Sequence, residues 1–119
     1  MIEFEAIKDM FDQIRKETEW DIDGPMLWGY FFTDKSEEKL EKAAYELNEM
    51  GYFFVDLYEP DLEEGEEKYF FLHVEKEEAH TPDSLFKRNL ELNEFAQKLG
   101  IDSYDGMDVG NIGDVEEEE

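Results

Sequence analysis

Tyr52-Phe53-Phe54-Val55-Asp56-Leu57-Tyr58 and Lys68-Tyr69-Phe70-Phe71-Leu72-His73-Val74-Glu75 are the two runs whose reading decides the fold. Both are rich in aromatic and β-branched residues, which suit a pleated, half-buried strand. Pro60-Asp61-Leu62-Glu63-Glu64-Gly65 lies between them, with turn formers at both ends. Together they read as a hairpin with a tight acidic loop. Successive side chains of a strand point to opposite faces. Strict alternation groups Phe53, Val55, Leu57, Phe70, Leu72 and Val74 on one apolar face, predicted to meet the core. It groups Tyr52, Phe54, Asp56, Tyr58, Tyr69, Phe71, His73 and Glu75 on the other. That second face is aromatic yet amphipathic, and the functional question is what covers it.

Upstream, Met26-Leu27-Trp28-Gly29-Tyr30-Phe31-Phe32 is a short apolar run of strand length, read as central in a sheet. Gly29 would allow a neighbour to approach closely. Thr33-Asp34-Lys35-Ser36 offers caps for a helix whose buried stripe is Leu40, Ala43, Ala44 and Leu47 and whose end is marked by Gly51. Ile7, Met10, Phe11 and Ile14 have the spacing of a helix face over about residues 3–17. Downstream, Thr81-Pro82-Asp83 starts a helix carrying Leu85, Leu92, Ala96 and Leu99, flanked by Phe86 and Phe95, interrupted by Arg88 and Asn89, and stopped by Gly100. An edge strand near Ser103 to Met107 follows, then a loop. Asp114 to Glu119 reads as a disordered acidic tail.

The order is a helix followed by β-α-β-β-α-β. That predicts one α+β domain over residues 1–113, with a ferredoxin-like core at about 26–110 and an antiparallel sheet. In this arrangement both core helices lie on one sheet face and the other stays open. The extra N-terminal helix is a candidate lid for the open face.

The chain has 119 residues, enough for one domain that folds without staples. Asp and Glu number 35 against 11 Lys and Arg, a net charge of −24. Such a field repels phosphate backbones and anionic membranes and steers basic partners inward. The 40% hydrophobic content, arranged in periodic runs, argues for a folded core beneath that acidic skin. No cysteine is present, which excludes a disulfide framework, a thiolate metal site and a cysteine nucleophile. No run approaches the ~18 apolar residues of a membrane span. The acidic start, Met1-Ile2-Glu3-Phe4-Glu5, is unlike a signal peptide. These features lead to an expectation of a cytoplasmic protein.

Three stretches carry a resemblance: the acidic helix around Leu40-Glu41-Lys42-Ala43-Ala44 with Met50-Gly51-Tyr52 after it, the helix from Leu92 to Leu99, and the Tyr104-Asp105-Gly106 turn. Over about Trp28 to Gly110 the chain resembles the regulator of ribonuclease E activity B family, small acidic bacterial proteins. An aromatic residue often follows that turn in the family; Met107 stands there in this chain, which marks a divergent branch. The resemblance implies a ferredoxin-like fold. It also implies binding to ribonuclease E, through that enzyme's non-catalytic region, with its activity lowered.

Two candidate binding regions follow. The first is the aromatic sheet face: Trp28, Tyr30, Tyr52, Phe54, Tyr58, Tyr69 and Phe71, with Phe32 beside them. Such a face could stack RNA bases, but no basic groove accompanies it, so direct nucleic-acid binding is not expected. The plainer alternative is that the N-terminal helix or a second subunit buries these rings, since large apolar patches on monomers are rare. The second region is the C-terminal turn, Tyr104, Asp105, Gly106 and Asp108, as a recognition loop; its plainer reading is a local turn with Gly106 at positive φ. The spacing of Asp102, Asp105 and Asp108 does not fit a calcium loop, and His73 and His80 are not paired at metal-binding spacing. No metal or cofactor is expected. No nucleophile, phosphate-loop or dinucleotide motif appears, so an enzyme is not expected either. The sequence therefore predicts a protein-binding regulator, monomer or homodimer, that engages a basic segment of a ribonuclease. The alternative is a self-associating adaptor domain without a nuclease partner.

Overall fold

Three ladder registers fix the architecture. In the computed structural model, which describes residues 3–112, strand β1 (Met26–Asp34) pairs antiparallel with β3 (Phe70–Glu78) on one side and with β4 (Ser103–Gly110) on the other. Strand β2 (Phe53–Tyr58) pairs antiparallel with β3, giving the sheet order β2-β3-β1-β4. Helix α1 (Phe4–Glu17) precedes β1, α2 (Glu37–Glu49) joins β1 to β2, and α3 (Pro82–Leu99) joins β3 to β4. This is the expected α+β, ferredoxin-like order with one added helix. The acidic tail expected at 114–119 lies outside the described residues.

The helix boundaries follow from their caps. The Ser36 hydroxyl accepts the Lys39 N–H at the start of α2. At α3, Thr81 and Ser84 bond each other's backbone N–H reciprocally, Pro82 takes the first turn, and Gly100 closes the helix in the left-handed region at φ +71°. The Ile101 N–H then returns to the Ala96 carbonyl at 2.9 Å. Asp34 ties the ends of two connections together. Buried at the end of β1, it accepts the Ser36 N–H at 2.7 Å on one oxygen and the Asp102 N–H at 2.9 Å on the other. Both lone-pair sets are thus satisfied, which removes most of the penalty of burying a carboxylate.

The core lies between the sheet and all three helices. Leu40, Ala43 and Leu47 of α2 and Leu85, Leu92 and Ala96 of α3 face Leu72 and Val74. The register pairs Tyr30 with Val74 and Phe32 with Leu72, so alternation places Trp28, Tyr30 and Phe32 on this covered face. All three are fully buried. This corrects the expectation that they line the open face: their parity follows their ladder partners on β3, which periodicity within β1 alone does not fix. Tyr52 is also buried, just ahead of β2. The N-terminal helix is not a lid on the open face. Phe11 stacks on Trp28 with ring centroids 6.0 Å apart, and Phe4 meets Phe86 edge-on at 5.9 Å, so α1 stands beside α3 and completes the helical layer.

Two bulges change the sequence-based alternation. In β2 the register shifts between Phe54 and Asp56, leaving Val55 as the extra residue. Phe53 then opposes Glu75 on the open face, while Phe54 and Leu57 oppose Val74 and Leu72 on the covered one. An extra residue inverts the parity of a strand, and for that reason Phe53 and Val55 are exposed rather than in the core. The second shift lies between Phe31 and Phe32 of β1, where Asp105 is the extra residue of β4. Beyond it Met107 and Val109 pack on the core, and this carries β4 on to Gly110, past the end expected at Met107.

Candidate protein-interaction face

The registers assemble the open face residue by residue. Phe31 lies opposite His73 on one side and Gly106 on the other; Gly29 lies opposite Glu75 and Asp108. Tyr58 opposes Phe71, and Asp56 opposes His73. Each alternates with a core residue and so points away from the helices. The rings form two stacks across the strands: Phe31 on His73 at 4.3 Å and Tyr58 on Phe71 at 5.5 Å, with Tyr69 tilted against Phe71 at 5.7 Å. Offset stacks of this kind add about 0.5–1.5 kcal/mol beyond their buried area and hold the rings in fixed orientations.

Gly29 makes room for the polar half of this face. A Cβ at that position would collide with the Asp108 carboxylate and would sit 2.8 Å from His73 Nε2. The sequence-based reading that a neighbour approaches Gly29 closely is met by these two side chains. His73 Nε2 is shielded from solvent without a hydrogen-bond partner, 3.8 Å from Glu75 Oε2. Gly29→Ala is accordingly expected to destabilise the fold by about 1–3 kcal/mol through overpacking. It should also displace the His73 ring from Phe31. The check is urea denaturation together with the ring-current shift of the Phe31 protons; an unchanged midpoint and an unchanged shift would mean that the cradle is not this tight.

Carboxylates ring the stacks. Among the described residues, no lysine or arginine forms an ion pair with Asp56, Glu75, Asp105 or Asp108. Their field reaches the rings. Burial pushes the Tyr58 phenol above its usual range, and the negative charges of Asp56 and Asp105 push it further. The face therefore presents flat π-surfaces beside uncompensated negative charge. A guanidinium or ammonium group can stack on such rings and pair with such carboxylates at once.

The residues singled out from sequence divide between the two sides. Tyr58, Tyr69, Phe71, Asp105, Gly106 and Asp108 converge on the open face, although they come from opposite ends of the sheet. Phe54 has covered-face parity yet lies half exposed at the sheet edge. Trp28, Tyr30 and Tyr52 belong to the covered side. Tyr104 also turns inward: its hydroxyl donates to Asn89 Oδ1 at 2.5 Å, and its ring lies 5.2 Å from Phe32. Burial raises its phenol well above the ordinary range. Asn89 in turn donates to the Leu85 carbonyl at 2.8 Å. The Tyr-Asp-Gly stretch thus combines an anchor to α3, a bulged carboxylate and a glycine at φ +142° opposite Phe31.

Sequence reasoning missed two features. Phe31 was hidden within an unbroken apolar run. Glu78, His80 and Arg88 form one polar network under the sheet. Arg88 donates to Glu78 Oε1 at 2.8 Å and to the Tyr52 hydroxyl; Glu78 Oε2 accepts from Tyr30 at 3.1 Å and lies 3.0 Å from His80 Nε2. His80 reaches the Ser84 hydroxyl at 2.9 Å through its other ring nitrogen. Burial, with the Glu78 charge next, pushes the Tyr30 phenol far up; burial also raises Tyr52, against the pull of Arg88. The signal available in the sequence was Arg88 and Asn89 interrupting the apolar stripe of α3.

Among the described residues, no group of three His, Asp or Glu side chains is placed to hold a metal ion, and no helix is long and apolar enough to cross a membrane. A surface hollow on α1 is lined by Asp9, Asp12, Gln13, Lys16 and Glu17, solvated side chains of a single helix face. None of the curated proteins matches the chain significantly. The family model described as regulator of ribonuclease activity B matches residues 4–109, which takes in all three helices and nearly all of the sheet. The chain belongs to that family of ribonuclease regulators.

Proposed function

We propose that this protein lowers the activity of ribonuclease E, or of an analogous RNA-decay enzyme, by occupying a basic segment of it. The observation that carries the reading is the open face. Stacked rings at Phe31, His73, Tyr58 and Phe71 lie beside carboxylates with which, among the described residues, no lysine or arginine forms an ion pair. The family supplies the kind of target, a ribonuclease reached through protein contact. The charge of −24 supplies the steering: a strongly negative molecule collects basic segments at rates well above those of a neutral one. The same charge opposes direct binding to RNA, so regulation works by masking the enzyme's own basic, RNA-gripping or scaffold region. Action on such an enzyme belongs in the cytoplasm.

Binding of a basic segment of the ribonuclease, measured by calorimetry across ionic strength, tests this. From about 0.01 M to 1 M salt the screening length falls from about 30 Å to 3 Å, and affinity should fall steeply with it. The double variant Asp105→Asn/Asp108→Asn should lose about tenfold in affinity, or about 1.4 kcal/mol. The control Asp9→Asn/Glu17→Gln removes the same charge from α1, on the helical side, and should lose much less. Affinity indifferent to salt would remove the steering. Equal losses from the two double variants would remove the open face as the contact.

A further inference from the structure

The two edges of the sheet are protected unequally. An edge strand exposes unpaired backbone N–H and C=O groups, and proteins guard such edges with charge, bulges or cover. β4 carries Asp105 and Asp108, with Asp102 just ahead of it. β2 opens instead with Phe53, Phe54 and Val55, which are 64%, 54% and 43% exposed, and Met50 just upstream is 49% exposed. Gly51 to Val55 contains no charged residue in a chain where 39% of residues are charged. Within β2 the one carboxylate is Asp56, which accepts the N–H of Leu57 at 2.9 Å; Glu59 follows the strand. The bulge at Val55 bends this strand but leaves its apolar half uncovered.

We infer that the β2 edge is a self-association surface, on which a second copy of this chain pairs its own β2 antiparallel about a twofold axis to give a continuous eight-stranded sheet. A second copy is favoured over a basic segment because Gly51 to Val55 offers no carboxylate for a cation to recognise; the open face does. A second copy is also the partner for which an uncharged stripe matters most. Two molecules of charge −24 repel over the rest of their surfaces, and the half of this edge from Gly51 to Val55 is a stretch where they can approach with no charged residue of that stretch opposed. A twofold interface uses one patch twice, so Phe53, Phe54 and Val55 meet the same residues of the mate. An axis normal to the sheet sets the two open faces on the same side. A single short strand places the contact in the weak class, below about 1,200 Å² of total buried area. The dimer is therefore reversible and held back by charge.

Sedimentation velocity on the full chain, over a concentration series at low and high salt, tests this. Dimer should accumulate with concentration, and its dissociation constant should tighten by about tenfold or more as salt screens the repulsion. That trend is opposite to the one expected for the basic segment, so the two ideas fail separately. Val55→Lys and Phe53→Lys should each weaken the dimer by about tenfold or more, with the thermal midpoint unchanged because both positions are exposed. A chain that stays monomeric at high salt and high concentration overturns the proposal. So does a dimer that survives both lysine variants. Lysine variants that weaken only basic-segment binding also overturn it and assign the edge to that partner.

Discussion

Trp28→Ala is expected to lower stability by about 3–5 kcal/mol, the range for emptying a buried tryptophan site. Trp28 is fully buried. Its indole stacks on Phe11, meets the His80 ring edge-on at 5.4 Å, and donates its N–H to the Glu78 carbonyl at 3.1 Å. The side chain is thus the joint between α1 and the sheet. Removing it leaves a cavity, an unpaired carbonyl and Phe11 of α1 without its stacking partner. A domain of this size holds about 5–15 kcal/mol in all, so a large share of the total is lost. Urea unfolding followed by circular dichroism measures this; with a slope of about 1–3 kcal/mol per molar, the midpoint should fall by one molar or more. Helicity should drop first, as α1 detaches. Trp28→Phe keeps a ring against Phe11 but loses the hydrogen bond and part of the indole volume, about 1–3 kcal/mol. A loss below 1 kcal/mol for the alanine variant would return Trp28 to the open face.

Glu78→Ala is expected to cost about 3 kcal/mol, the low end of the 3–5 kcal/mol for breaking a buried ion pair, because the pair retains some contact with solvent. The carboxylate is the centre of its network. It takes the Arg88 guanidinium on one oxygen and the Tyr30 hydroxyl and His80 ring on the other. Truncation leaves a guanidinium that still contacts Tyr52 but keeps as countercharge only the exposed Glu91, 3.5 Å from its Nε. It also leaves Tyr30 without an acceptor and frees His80 on one side. Glu78→Ala/Arg88→Ala removes that half-buried charge along with its closer partner, so the double variant should lie well short of the summed single effects. Chemical denaturation of the four proteins gives the coupling energy. Simple additivity would show that the pair is an incidental neighbour contact.

The fold was largely legible because its signals are local. Thr81-Pro82-Asp83 and Gly100 delimit α3 through capping chemistry that acts within one turn. The order of periodic segments was enough for the ferredoxin-like topology. The family resemblance rested partly on Tyr104-Asp105-Gly106, and the structure gives that stretch a physical content: an inward anchor, a bulge and a glycine opposite Phe31 on the neighbouring strand. The candidate face was legible only in part. Tyr58, Phe71, Asp105 and Asp108 were found as two separate regions, and only the sheet order brings them onto one surface.

Which face each strand turns to the core is a relative property, set by the pairing of one strand with the next. Trp28, Tyr30 and Phe32 share an apolar run with Leu27 and Phe31, and neither parity is favoured until Tyr30 meets Val74 across the ladder. A bulge adds a second inversion. Val55 and Asp105 each shift a strand by one residue, and no periodicity within a strand announces where that happens. The placement of α1 is likewise a competition between two apolar surfaces, which the stack of Phe11 on Trp28 decides. The sequence alone determined the elements, their order and the acidic charge, because each depends on near neighbours or on simple sums. Tertiary structure alone decided which aromatics are core, which are surface, and where the carboxylates gather, because those depend on register between segments far apart in the chain.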